Sequence, residues 1–253
     1  MGDPMRTIVI VPGFNEPERD MRTLADGRRG LPGLSARGFR CIAFPQYEDS
    51  LSDRIDRFAD FLIGVAAGDP EPALITVGYS LGGLVVRGFL RRFPERSKMV
   101  THTVQLGTPN WGITVDLLPM LTAFLRLKDK ATKELDVESG FMRWLNGTGG
   151  HWEGKGKNRN WVLDAEPWLA PPGARLRSIY GSVPHFGGDN DGIVWQDSAT
   201  LGGRLDAHEI RSERANHLNL IGAWNPGTVL IKGFLCDDDV WPQSIEAIAA
   251  ALD

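Results

Sequence analysis

Residues 73–79 (Ala-Leu-Ile-Thr-Val-Gly-Tyr) form an apolar run that passes, with only Ser80 between, into a helical pattern over 81–93. A run of that length with no charge reads as a buried strand. Leu84, Val85, Phe89 and Phe93 then recur on one face, as in a packed helix. Joining a buried strand to a packed helix through one residue demands a tight, strained turn. Gly78 and Gly82 flank that turn, where bulkier residues would clash with adjacent strands, and Gly83 follows. Few folds accommodate such a junction, because strand and helix must both be covered by neighbouring layers.

The rest of the chain supplies those layers. Residues 7–11 (TIVIV) read as a strand stopped by Pro12-Gly13, and 39–44 (FRCIAF) as a strand ending at Pro45. Further strands are predicted over 100–106, 175–183 and 205–213. Ser52-Asp53 can cap a helix carrying Ile55, Phe58, Phe61, Leu62 and Val65. A short helix is predicted from about His217, and a last one opened by Pro242-Gln243 and ending near Leu252. Strands alternating with helices predict an α/β class with a mostly parallel central sheet and helices on both faces. The expected organisation is one domain over 1–253. Within it, 111–174 is an insertion without a convincing strand, holding amphipathic segments at Leu117, Leu118, Leu121, Phe124 and Leu125 and again over 141–145.

Tryptophan marks the same boundary. None of the eight lies in the first 110 residues, and Trp111, Trp144, Trp152, Trp161 and Trp168 all fall in the insertion. They can line a substrate pocket or pin a Gly-rich excursion onto the sheet. Composition excludes other classes. Lys plus Arg is 28 and Asp plus Glu is 32, a net charge of −4, which lacks the basic excess of a nucleic-acid binder. The two Cys, Cys41 and Cys236, are far apart, and no Cys or His pair stands at zinc-ligand spacing. Residues 155–159 and Asp237-Asp238-Asp239 read as solvated loop and turn rather than binding or metal sites. No apolar segment reaches membrane-spanning length. No cleavable leader pattern is visible, so a cytoplasmic location is the default expectation, although a mature secreted form would read the same. Met5 is an alternative natural start.

Gly78-Tyr79-Ser80-Leu81-Gly82 matches G-x-S-x-G in the strand-to-helix context that the motif requires. A serine hydroxyl is a weak nucleophile until a base takes its proton. Among the five His, His102 lies in a predicted core strand and His151 in the inserted loop. His217 follows the last strand, where a parallel sheet delivers loop residues to the edge that carries Ser80, and is the favoured base. His185 and His208 are the alternatives. For the carboxylate that orients the base, Asp191 in Asp189-Asn190-Asp191-Gly192 follows the fifth strand, with Asp189 as the alternative. The chain order Ser80, Asp191, His217 suits a nucleophile-elbow hydrolase. Backbone N–H groups of Leu81 and Phe14 are the candidate oxyanion donors, Gly13 allowing close backbone approach; Pro12-Gly13 as an ordinary turn is the alternative.

Together Val11-Pro12-Gly13-Phe14, Gly78-Tyr79-Ser80-Leu81-Gly82-Gly83, Leu106-Gly107-Thr108-Pro109-Asn110-Trp111-Gly112, Asp191-Gly192-Ile193-Val194 and Asn216-His217-Leu218 resemble the α/β-hydrolase superfamily, in its bacterial lipase/esterase branch. The resemblance implies the α/β-hydrolase fold, with Ser80 as nucleophile, Asp191 as acid, His217 as base, and Phe14 and Leu81 as oxyanion donors. It also implies a cap or lid after the Gly-Thr-Pro element, the slot taken by 111–174. The chain departs from the many members that read His-Gly before the oxyanion residue, having Pro12-Gly13, and it offers no match to the structural calcium ligands of some. The expected activity is hydrolysis of a carboxylic ester with an apolar acyl part, without cofactor or metal. Trp111, Asn15 and Leu118 are candidate pocket residues. Thioesterase, amidase or acyltransferase chemistry with the same residues is the alternative, and a non-catalytic ligand-binding protein the distant one.

Overall fold

The structure is a computed structural model. It describes residues 6–13, 18–28, 30–45, 49–67, 72–113, 130–154, 160–183, 190–212, 215, 217, 219–221 and 240–252. Its strands are β1 (Thr7–Val11), β2 (Arg40–Ala43), β3 (Leu74–Tyr79), β4 (Val100–Leu106), β5 (Gly150–Glu153), β6 (Asn160–Leu163), β7 (Arg175–Ser182) and β8 (Asp206–Arg211). Its helices are α1 (Glu18–Asp26), α2 (Leu51–Ala66), α3 (Leu81–Arg92), α4 (Lys130–Glu134), α5 (Gly140–Asn146), α6 (Gln196–Thr200) and α7 (Val240–Ala250).

Among the described residues six strands form one sheet in the order β2-β1-β3-β4-β7-β8, with every pairing parallel. Side chains alternate across it, as strand geometry requires. Ile8, Ile10, Ile75, Val77, Val104 and Ile179 join Met21 and Leu24 of α1 and Trp241, Ile245 and Ile248 of α7 on one face. Val9, Val11 and Leu74 join Ile55, Phe58 and Leu62 of α2 and Leu84, Val85 and Phe89 of α3 on the other. The ring of Phe58 meets Phe44 edge-on at 5.2 Å and Phe89 at 5.5 Å. Each such buried ring contributes about 1.5–3 kcal/mol.

Register places the site. Val11 pairs with Gly78, Tyr79 with Leu106, and Leu106 with Ile179, so β1, β3, β4 and β7 end at one edge. From β1 the chain goes first to β2 on one side and later to β3 on the other. The crevice between β1 and β3 is therefore a topological switch point, where ligands of open parallel sheets bind.

Several local expectations are corrected. The cap of α2 is Ser50, whose side chain accepts from the Asp53 N–H; Ser52 lies inside the helix. The segment 111–174 is not strand-free: β5 and β6 pair antiparallel, with Trp152 opposite Trp161 at 5.2 Å. Four-residue strands beside a Gly- and Lys-rich stretch carry too little alternation to read as strands, and the facing indoles supply the missing apolar contact. Where a short helix is expected from His217, the described residues hold a 3₁₀ turn, Asn219–Ile221. The last helix begins at Val240, which puts Pro242 in its first turn, where a missing N–H costs nothing. The expectations placed on Leu117 to Leu125, 155–159, Cys236 and Asp237 to Asp239 lie outside the described residues. Among the described residues no helix is long and apolar enough to cross a membrane.

Candidate active site

Ser80 stands between β3 and α3 with φ 51° and ψ −123°, one of two non-glycine residues at positive φ among those described. Such a conformation is costly for a residue with a Cβ and persists only when its surroundings over-determine it. Here they do. The Ser80 N–H donates to the Leu106 carbonyl at 2.8 Å, and the Ser80 carbonyl accepts from Gly83 at 3.1 Å. A Cβ on Gly78 would stand 2.6 Å from the Gly83 Cα, and one on Gly82 would meet the carbonyl oxygens of Val11 and Pro12. The glycines let α3 close onto β1 and β3. The loop after β1 reaches the serine directly, since a Cβ on Gly13 would lie 3.1 Å from the Ser80 Cβ.

Behind Ser80, α3 presents its N-terminus. The first N–H groups of a helix have no intrahelical acceptor, and its dipole adds positive partial charge. Leu81 is the first residue of α3, so its N–H is one of these groups.

His217 and Asp191 form a buried pair, their side chains 4% and 1% exposed. His217 Nδ1 lies 2.7 Å from Asp191 Oδ2. Asp191 Oδ1 accepts from the N–H groups of Ile193 (3.0 Å) and Val194 (2.7 Å), which the Gly192 turn at φ 89° folds back toward it. The His217 N–H returns to the Asp191 carbonyl at 3.0 Å. A carboxylate only accepts, so facing it Nδ1 donates, and in the neutral ring that tautomer leaves the lone pair on Nε2. Three donors satisfy the buried carboxylate, and the ring cannot turn without losing its bond.

The pair is delivered to the Ser80 edge by backbone packing. A Cβ on Gly107 would lie 3.0 Å from the His217 ring, and Gly107 follows Leu106, which holds the Ser80 N–H. The Tyr79 ring packs on His217 with centroids 5.0 Å apart, and its hydroxyl donates to the His217 carbonyl at 3.1 Å. Asp191 and His217 are thus joined directly. Among the described residues no hydrogen bond joins Ser80 to His217; they meet through Tyr79, Leu106 and Gly107. Such bonds often tighten only when substrate binds.

The other candidates fall elsewhere. His102, in β4, contacts Thr101 at 3.0 Å and Arg175 at 3.4 Å. His208 lies exposed in β8, and His151 bonds Asp164 and Glu153 on the hairpin. Phe14, Asn15, Leu118, His185 and Asp189 lie outside the described residues. The backbone N–H of Trp111 donates to Ser198 Oγ at 3.1 Å, and its ring packs on Gly202.

One element has no counterpart in the sequence expectations. Arg87 of α3 is fully buried and donates to Asn110 Oδ1 (3.0 Å), Asn146 Oδ1 (3.1 Å) and the Trp168 carbonyl (2.7 Å). Asn110 exchanges hydrogen bonds with Gln105, which also donates to the Gly83 carbonyl at 3.2 Å. This network ties 146 and 168, on the inserted segment, to the first turn of α3. Burial and the nearby Arg91 guanidinium lower the Arg87 pKa to about 9. The one available signal was a cation in a helix otherwise apolar over 84–90.

A six-stranded parallel sheet in this order, with helices on both faces and a strained serine at the β3–α3 turn, is the α/β-hydrolase fold. Solved structures of that class superpose on the chain. The mature form of the Bacillus licheniformis lipase BlEst2 matches with TM-score 0.64 and 19% identity over 87% of this chain and 89% of its own. The lin2722 product of Listeria innocua matches at 0.58 and 15%, covering 98% and 94%. The NocB thioesterase domain, solved in covalent complex with a fluorophosphonate nocardicin G analog, matches at 0.51 and 12%, covering 99% and 95%. At these identities the likeness is one of fold. No protein-family model matches the sequence, and no curated protein matches it.

Proposed function

We propose that the chain is a serine hydrolase of carboxylic esters with an apolar acyl part. The observation that carries this reading is Ser80 held at positive φ at the sheet edge to which the His217–Asp191 pair is also delivered. In the proposed reaction, His217 Nε2 takes the hydroxyl proton as Ser80 Oγ bonds to the ester carbonyl carbon. The carbonyl oxygen becomes an oxyanion, met by the N–H groups of Leu81 and Phe14. Collapse expels the alcohol, which leaves with the proton from His217. Water, deprotonated by the same Nε2, then attacks the acyl-enzyme, and the acid leaves as Ser80 recovers its proton. Asp191 holds the imidazole in the required tautomer throughout. Residues 111–174 are assigned as a cap over this site, anchored through Arg87, with Trp111, Asn15 and Leu118 as candidate pocket residues.

Ser80→Ala tests the reading. It should abolish turnover of p-nitrophenyl esters and labelling by a serine-reactive phosphonate while the protein still folds. Retained turnover in the folded variant refutes the assignment. The likeness to the NocB thioesterase domain supports one second reading, thioester cleavage by the same residues. Turnover of matched ester, thioester and amide substrates separates these chemistries. Failure of the phosphonate to label the native protein favours a non-catalytic ligand-binding role.

A further inference from the structure

A cleft of about 730 Å³ lies at the other end of α3 from Ser80, between α2 and α3 on one side and α4 and α5 on the other. Arg91 is eleven residues beyond Ser80, so it stands about 16 Å away along the helix axis. The cleft's walls include Arg91, Arg92, Lys133, Glu134, Phe141 and Trp144. Among the described residues three cations therefore face one carboxylate, and that carboxylate is engaged, since Glu134 Oε2 accepts the Leu51 N–H at 2.6 Å. Arg92 pairs with Asp56 at 3.1 Å. Arg91 and Lys133 meet no carboxylate among the described residues.

Arg91 is preorganised. Its Nη1 donates to the Leu145 carbonyl at 3.0 Å, and its guanidinium lies over the rings of Trp144 (5.8 Å) and Trp168 (5.3 Å). Trp144 packs on Phe141 at 5.6 Å, yet 37% of it remains exposed. The last turn of α3 favours Arg91 and Arg92 through the helix dipole, which explains why two cations are tolerated there. It does not account for Lys133, which α4 brings to the same cleft beside an exposed indole.

We propose that this cleft is a second binding site, separate from the Ser80 edge, for a small organic anion. The ligand's carboxylate or phosphate is held between Arg91 and Lys133, and its aromatic or alkyl body lies against Trp144 and Phe141. The volume is sufficient for a small molecule. Because its walls come from both the core helices and the inserted segment, an occupant bridges the two. The proposal does not depend on the hydrolase reading.

Calorimetric titration with 2-naphthoate tests it, alongside neutral 2-naphthalenemethanol, inorganic phosphate, and vesicles of anionic lipid. Naphthoate should bind the native protein, and the neutral isostere and bare phosphate should each bind about tenfold more weakly or worse, since each lacks half of the recognition. Lys133→Glu, an exposed change, should weaken naphthoate binding by about tenfold or more and leave thermal unfolding as in the native protein. Trp144→Ala should weaken naphthoate more than phosphate. Ser80→Ala should bind naphthoate as the native protein does. Unchanged affinity in Lys133→Glu overturns the proposal, as does loss of binding in Ser80→Ala. So does binding of anionic vesicles without naphthoate.

Discussion

Consider Asp191→Asn. Asp191 Oδ1 accepts two backbone N–H groups, at 3.0 and 2.7 Å, while Oδ2 faces His217 Nδ1 at 2.7 Å. An asparagine must choose which end carries its NH₂. Turning NH₂ toward Ile193 and Val194 would set donor against donor and leave two buried N–H groups unpaired, at about 1–3 kcal/mol each. The amide oxygen therefore stays with the loop, and the NH₂ faces Nδ1. Nδ1 must then accept, which moves the imidazole proton to Nε2 and removes the lone pair that would take the Ser80 proton. In serine hydrolases this inversion costs on the order of 10⁴ in kcat, or about 5.5 kcal/mol of barrier. Stability should change little, because the hydrogen-bond count is preserved. The assay is kcat on a p-nitrophenyl ester, with thermal unfolding in parallel and Asp189→Asn as control. A folded Asp191→Asn that keeps about a tenth or more of native kcat refutes the tautomer reasoning, and a larger loss in Asp189→Asn moves the acid to that residue.

Three further outcomes are expected. Gly82→Ala drives a Cβ against the backbone oxygens of Val11 and Pro12, and should cost about 1–3 kcal/mol in chemical denaturation with a matching fall in turnover. Arg87→Met leaves Asn110, Asn146 and the Trp168 carbonyl short of buried donors; a loss of about 3 kcal/mol or more is expected on urea unfolding, with Arg87→Lys restoring only part because it lacks the fork. His151 has its pKa raised above 6.5 by its hydrogen bonds to Asp164 and Glu153. The pairing therefore supports the hairpin fully below that value and weakens as pH rises through the raised one; NMR titration should show the His151 pKa falling in Asp164→Asn.

Two strands were legible in the sequence to the residue: 7–11 and 100–106, both β-branched and free of acidic or strongly basic side chains, match β1 and β4. The switch from strand to helix at Ser80 was legible because glycine spacing reports a steric requirement within one short segment. Asp191 and His217 were legible as loop residues after their strands, but their bond joins residues 26 apart and appears only with the fold. Helix caps were less legible, since Ser50 and Ser52 both precede the same apolar pattern and only backbone geometry separates them. The β5–β6 hairpin was hidden because each strand is four residues long and the Trp152–Trp161 contact is cross-strand. Arg87 gave only a discordant cation; its partners at 110, 146 and 168 are set by tertiary structure alone.

Strand β8 carries a separate consequence. Among the described residues β8 forms the margin of the sheet; in it only Ile210 is buried, and Asp206, His208, Glu209 and Arg211 stand exposed. An open margin is a row of unpaired backbone groups that a second chain can extend. Charges of both signs along so short a strand make that extension costly. Crowded copies of the molecule should therefore resist strand-by-strand association on this side, whatever is bound at the far end of α3.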